Sequence, residues 1–123
     1  MNKLLPAFVA CATLSAPSAF SQSEVNVEAF LGMCKQPENH GDRAYCVGYF
    51  TGMAQMMEQI GVRGSGEFRH LYGMCIPQGP APSGNALARA FIVWAEQHPK
   101  GWSLQYQMGG LLALTYTWPC PEK

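Results

Sequence analysis

The 123-residue sequence has few charged side chains, no excess of either sign and no long apolar run. Lys and Arg together number 8, as do Asp and Glu, and charged residues make up 13% of the chain. This neutral balance argues against an electrostatic nucleic-acid binder, which would need a basic face. No apolar run reaches the roughly 20 residues of a membrane-spanning helix. With 48% hydrophobic residues, however, the chain can build the core of one small domain.

The sequence also lacks the short motifs that mark common catalytic centres. It contains no G-x-S-x-G nucleophile elbow, no H-E-x-x-H helix and no phosphate-binding glycine loop. No C-x-x-C pair occurs, and His40, His70 and His98 do not have the spacing of zinc-finger ligands. We therefore expect a protein that is not an enzyme and that carries no metal and no cofactor.

The first 21 residues have the layout of a secretory signal peptide. A basic start is followed by an apolar stretch over residues 4–14 and by small residues that suit cleavage before Gln22. We expect a signal peptide over residues 1–21 and a single helical domain over residues 22–123. A lipoprotein-type cut before Cys11 is the alternative, and it would anchor the protein to a membrane.

Apolar side chains recur at three- and four-residue steps in four segments, which predicts an all-α fold, a small bundle of about four helices. The predicted helices cover residues 24–35, 42–60, 84–98 and 104–117, and their candidate N-caps are Asn26, Asp42, Ser83 and Ser103. Residues 61–82 contain five glycines and predict a long loop with at most a short helical turn. No segment alternates as a strand does.

The mature chain would retain four cysteines, an even number that indicates disulfides in a small exported domain. The break over Pro37–Gly41 makes the first two helices antiparallel neighbours, and Cys34 and Cys46 flank that break. A bridge between them is geometrically easy. We predict two disulfides, Cys34–Cys46 and Cys75–Cys120, of which the second ties the long loop to the C-terminus.

Two further patterns leave alternatives open. Gly48 and Gly52 lie four residues apart on the second helix, which suits a close helix crossing, either inside the fold or across a dimer. Trp94, His98 and Trp102 are interpreted as packed aromatic residues around a hydrogen-bonded histidine, with a ligand groove as the alternative.

Five short segments also occur together in a fixed order: Cys34, the segment from Cys46 to Gly52, Cys75-Ile76-Pro77, His98-Pro99 and Trp118-Pro119-Cys120. In that order and spacing they resemble the Rap/Tai family of immunity proteins of type VI secretion. The resemblance covers about residues 26–121. It implies a small helical periplasmic protein, generally a homodimer, that binds and blocks a peptidoglycan-cleaving amidase effector without catalysis of its own.

The resemblance further implies that a loop and an adjacent helix face cover the active-site cleft of the toxin. The glycine-rich loop over residues 61–74 is our candidate for this element, because Arg and Tyr side chains are favoured as interface anchors. The candidate toxin-binding residues are Arg63, Glu67, Arg69, His70 and Tyr72.

Two functions of other classes remain as alternatives. One is a small periplasmic chaperone or stress protein, which would protect unfolded clients at low pH. The other is an undetected hydrolase or a small-ligand binder that uses Trp94, His98 and Trp102.

Overall fold

A computed structural model describes residues 24–61, 68–77 and 79–122. These residues form four α-helices and one β-hairpin, so the fold is mostly helical but not purely all-α. The elements are α1 (Val27–Cys34), α2 (Gly41–Gly61), β1 (Phe68–Leu71), β2 (Met74–Pro77), α3 (Gly84–Gln97), a 3-10 helix (Pro99–Gly101) and α4 (Tyr106–Thr117). The predicted signal peptide and Cys11 lie outside the described residues.

Side-chain caps explain where the first three helices begin. Asn26 and Ser83 each accept a hydrogen bond from the backbone N–H three residues ahead, at 2.9 and 3.1 Å, as predicted. The prediction that Asp42 is the N-cap of α2 is wrong. The helix already includes Gly41, and Nδ1 of His40 accepts from the Asp42 N–H at 3.1 Å. Asp42 instead places its carboxylate in the first turn, where the helix dipole favours negative charge.

The fourth helix begins at Tyr106, later than predicted, and Ser103 is not its cap. The cause is pairing of the segment before α4 with a distant part of the chain, the start of α1. Gln105 forms an isolated antiparallel bridge with Asn26, and the carbonyl of Leu104 accepts the Val27 N–H at 2.8 Å. The backbone of this segment is therefore extended, and it pairs with the start of α1 before it turns into α4.

Three phenylalanines form the centre of the core. Phe30 of α1, Phe50 of α2 and Phe91 of α3 are fully buried, with ring centroids 5.3 to 6.0 Å apart. Burial of each ring contributes about 1.5–3 kcal/mol to stability. The Cys34–Cys46 disulfide, with a Cα–Cα distance of 5.2 Å, ties α1 to α2 beside this core as predicted.

A β-hairpin over residues 68–77 replaces part of the loop that the sequence predicts over residues 61–82, of which residues 62–67 and 78 lie outside the described residues. Its strands are antiparallel, with Leu71 opposite Met74 and His70 opposite Cys75. Three consecutive residues of β2, Met74 to Ile76, are almost completely buried. Neighbouring strand residues point to opposite faces, so burial of three consecutive residues means that β2 is covered on both faces. The strand therefore shows no alternation of apolar and polar residues, and the sequence does not predict it.

Gly84, and not Gly48 or Gly52, lies where the backbones of α2 and α3 come close together in the described structure. A Cβ atom on Gly84 would lie 2.8 and 2.9 Å from the backbone N and Cα of Thr51. A Cβ atom on Gly48 or Gly52 would meet no described atom within 4 Å, and both glycines are exposed. A crossing inside the fold therefore does not explain these two glycines. In the described part of the chain, no helix is long and apolar enough to span a membrane.

We predict that Gly84→Ala destabilises the protein by about 1–3 kcal/mol, because the added methyl group displaces the backbone of α2. Gly48→Ala is the matched control, and it should stabilise the protein by about 0.5–1 kcal/mol, because it removes a flexible residue from an exposed helix. Denaturant unfolding of both variants measures the two effects. Equal changes in the free energy of unfolding would contradict the assigned crossing.

Candidate functional site

The hairpin is anchored at β2 by the C-terminal segment, residues 118–122. The backbone N–H of Cys75 donates to the carbonyl of Trp118 at 2.9 Å, and Met74 pairs with Pro119 in an isolated bridge. The Cys75–Cys120 disulfide, with a Cα–Cα distance of 4.6 Å, adds a covalent link across 45 residues, as predicted. Together these contacts hold the base of the hairpin firmly against the helical core.

The turn of the hairpin presents an exposed aromatic ring. Tyr72 and Gly73 connect β1 to β2 and have φ angles of 46° and 83°. Two consecutive positive φ angles in a two-residue connection are typical of a type I′ turn, which favours Asn or Gly at both positions. Tyr72 is nevertheless a bulky residue in the left-handed region, and 72% of its surface is exposed.

This conformation costs Tyr72 about 1–2 kcal/mol of backbone strain. With 72% of its surface exposed, Tyr72 recovers little of that cost by burial. Residues held in such sparsely populated conformations cluster at functional sites. An exposed tyrosine at the tip of an anchored hairpin is therefore the feature of this structure that most favours a role in binding.

The structure places three of the five predicted toxin-binding residues on the hairpin. Arg69 and His70 belong to β1, and Tyr72 begins the turn. Arg63 and Glu67 lie outside the described residues. The prediction that these residues belong to a loop is wrong for Arg69 and His70, because both pair with residues of β2 in a regular ladder. Their proposed contact with a toxin stays a prediction.

His70 lies beside the disulfide at the base of the hairpin. Its Nδ1 atom is 3.2 Å from Sγ of Cys75 and 4.0 Å from Sγ of Cys120. Among the described residues, this is the only group of three His, Cys, Asp or Glu side chains whose ligand atoms converge. The sequence does not reveal this group, because the hairpin register aligns His70 with Cys75 and the chain fold brings in Cys120.

The Trp94, His98 and Trp102 cluster has a structural role, as its primary interpretation predicted. Trp94 is 6% exposed and stacks on the His98 ring at a centroid distance of 5.2 Å. Nδ1 of His98 lies 2.7 Å from the carbonyl oxygen of Trp94, and the indole N–H of Trp102 donates to Ala95 at 2.8 Å. These contacts supply side-chain partners to carbonyl groups in the last turn of α3, and the carbonyl of Ala95 also accepts the backbone N–H of His98 at 3.3 Å.

Three tyrosines meet where the beginnings of α2 and α4 pack. The hydroxyl oxygens of Tyr45 and Tyr106 are 3.3 Å apart. The hydrogen bond with Tyr45, followed by burial, raises the pKa of Tyr106 to about 12. Burial, followed by the charge that Tyr45 acquires at high pH, also raises the pKa of Tyr49. Both phenols are therefore neutral at physiological pH, which suits packing rather than proton abstraction.

The outer face of α4 carries a row of exposed apolar side chains and the helix contains no charged residue. We call this row the α4 stripe. Its members are Met108, Leu112 and Tyr116, which recur every four residues and are 41–59% exposed. A row of exposed apolar side chains of this kind is a candidate site of protein–protein contact.

Comparison with known proteins identifies the family. A family model described as Rap1a immunity proteins matches residues 26–120. This range contains the four helices, the hairpin and all four paired cysteines. The chain therefore belongs to the Rap1a immunity protein family, which confirms the resemblance. No match was found among curated proteins or among solved structures.

We predict that Tyr72→Asn raises the free energy of unfolding by about 1 kcal/mol, because Asn adopts the left-handed conformation more readily than Tyr. Tyr72→Phe is the matched control, and it should leave stability unchanged, since it keeps both the ring and the strain. Denaturant unfolding of the oxidised proteins measures both effects. A destabilised Asn variant would show that the tyrosine ring supports the turn.

Proposed function

We propose that this Rap1a family protein is a periplasmic immunity protein that binds and blocks a peptidoglycan-cleaving amidase toxin delivered by type VI secretion. Family membership supports the immunity role. The signal-peptide layout of residues 1–21 supports export. The two disulfides support an oxidising compartment such as the periplasm.

The observation that carries the proposal is Tyr72 at the tip of the anchored hairpin. A tyrosine has only two side-chain torsions, so placing its ring in a partner's cleft costs little conformational entropy. The backbone around it is already ordered by β-pairing and by the Cys75–Cys120 disulfide. Such a preorganised element binds with a smaller ordering cost than a flexible loop.

Inhibition by occlusion requires no chemistry from the immunity protein itself. Membership of an immunity protein family supports this non-catalytic role. Cys34, Cys46, Cys75 and Cys120 are all in disulfides. Nδ1 of His98 contacts a backbone carbonyl group, and Nδ1 of His40 caps α2. These groups are engaged in structure, and we propose that the protein acts by covering the toxin's active site.

We predict that Tyr72→Asn weakens binding of the amidase by more than about 2 kcal/mol, as expected of a tyrosine at the centre of an interface. The test begins with a pull-down by the mature protein, residues 22–123, against the product of the adjacent gene and a periplasmic extract. Calorimetry on the recovered amidase then compares the variants. Because Tyr72→Asn should fold at least as well as the parent, lost affinity cannot be attributed to unfolding.

Tyr72→Phe is again the control, and it should keep most of the affinity because it keeps the ring. Equal affinity of the parent and Tyr72→Asn would move the contact away from the hairpin tip, to the α3 face over residues 87–94. Recovery of many unrelated unfolded proteins, and no amidase, would instead favour the chaperone alternative.

We further propose that the protein is a homodimer that packs through the α4 stripe. Two-fold symmetry requires a surface that is complementary to itself. The stripe suits such a contact, because it is apolar, its helix carries no charge and it is centred on Leu112. Tyr116 extends the surface toward Val93 across a groove of about 500 Å³ between α3 and α4.

We predict that Leu112→Lys converts the dimer to a monomer, because two lysines would face each other near the symmetry axis without a counter-charge. Gln107→Lys, at an exposed position of the same helix outside the stripe, should leave the dimer intact. Sedimentation analysis of both variants gives the result. A dimer that survives Leu112→Lys, or a monomeric parent protein, would contradict this interface.

A further inference from the structure

We propose that reduction of the Cys75–Cys120 disulfide converts the base of the hairpin into a binding site for Zn²⁺, with His70, Cys75 and Cys120 as ligands. The three ligand atoms come from β1, β2 and the C-terminal segment and lie within 4.8 Å of one another. Two thiolates and one imidazole are a ligand set that zinc favours. This inference does not depend on the proposed toxin.

The distances around His70 already suit an ion. Zinc binds sulfur at about 2.3 Å and imidazole nitrogen at about 2.0 Å, so tetrahedral ligand atoms lie roughly 3.5–4 Å apart. In the oxidised protein Nδ1 of His70 is 3.2 Å from Sγ of Cys75 and 4.0 Å from Sγ of Cys120. Coordination requires the two sulfur atoms to separate, which breaking their bond permits, and Nδ1 of His70 to move a few tenths of an ångström from Sγ of Cys75.

Contacts other than the disulfide keep the ligands together after reduction. The Cys75 N–H still donates to Trp118, and Met74 still pairs with Pro119. The ladder still places His70 opposite Cys75. Cys75 is only 3% exposed, so its position is held by the surrounding core. Cys120 thus stays near its partners. A water molecule supplies the fourth ligand, as is usual where a protein provides three.

The other disulfide offers an internal comparison. Cys34 and Cys46 are completely buried, and no described histidine or acidic side chain converges with them to form a third ligand. Reduction there yields two thiols in an apolar core, which lack both a third ligand and room for a hydrated ion. The proposal therefore applies to one disulfide and not to the other.

The reaction has two steps. A small dithiol or a dithiol protein first gives two electrons and two protons to the Cys75–Cys120 bond and becomes a disulfide itself. Zn²⁺ then displaces both thiol protons, forms two Zn–S bonds and accepts the lone pair of the neutral His70 imidazole. The ion then replaces the disulfide as the cross-link between hairpin and C-terminal segment.

The first test titrates the reduced protein with Zn²⁺ in competition with a chromophoric chelator. We expect one tightly bound ion per reduced chain, a higher melting temperature with Zn²⁺ than with a chelator, and no effect of either on the oxidised protein. His70→Ala should weaken binding by more than about tenfold, the loss typical of even an outer-shell partner. It should leave the melting temperature of the oxidised protein unchanged.

Two matched controls test the assignment of the ligands. His40→Asn should bind Zn²⁺ like the parent, since Asn preserves the cap of α2. Co²⁺ bound to the reduced protein should give a thiolate-to-cobalt charge-transfer band. The double variant Cys75→Ser/Cys120→Ser should lack this band, and the double variant Cys34→Ala/Cys46→Ala should keep it. Failure of the reduced parent to bind Zn²⁺, or binding that His70→Ala leaves unchanged, would overturn the proposal.

Discussion

The pairing of β2 with the C-terminal segment is the constraint on which the candidate site depends. One backbone hydrogen bond from Cys75 to Trp118 and one disulfide from Cys75 to Cys120 join parts of the chain more than forty residues apart. Without them the hairpin would be a two-stranded ribbon, which is marginally stable on its own in water. With them it becomes a rigid projection from a helical core.

The same pairing explains why structural and functional features meet at the hairpin. Met74 and Ile76 bury their side chains in the core, while Tyr72 is exposed two residues before Met74. The buried residues stabilise the hairpin, and this stability allows the turn to tolerate a strained tyrosine. Strain at a binding residue requires such support from the surrounding structure.

Most of the helical architecture follows from local signals in the sequence. The caps at Asn26 and Ser83 are short-range hydrogen bonds, and helical periodicity identifies the core positions Phe30, Phe50 and Phe91. The candidate site was only partly predictable. Its position between α2 and α3 and three of its residues were recognised, because glycines and charged residues cluster there. Its secondary structure was not recognised, because β2 is buried on both faces and the turn lacks the Asn or Gly expected at Tyr72.

The sequence by itself predicted four helices, favoured the observed pairing of the four cysteines and indicated the family by resemblance, because these depend on local periodicity, short connections and the order of motifs. The tertiary structure alone decided that residues 68–77 form a hairpin, that α4 begins at Tyr106 and that His70 lies beside Cys75 and Cys120. The extended start of α4 and the anchoring of β2 depend on hydrogen bonds with distant segments, to Val27 and to Trp118, and such pairings leave no periodic signal in the chain. The hairpin itself is a local pairing, but β2 is buried on both faces and therefore lacks the alternation that identifies a strand.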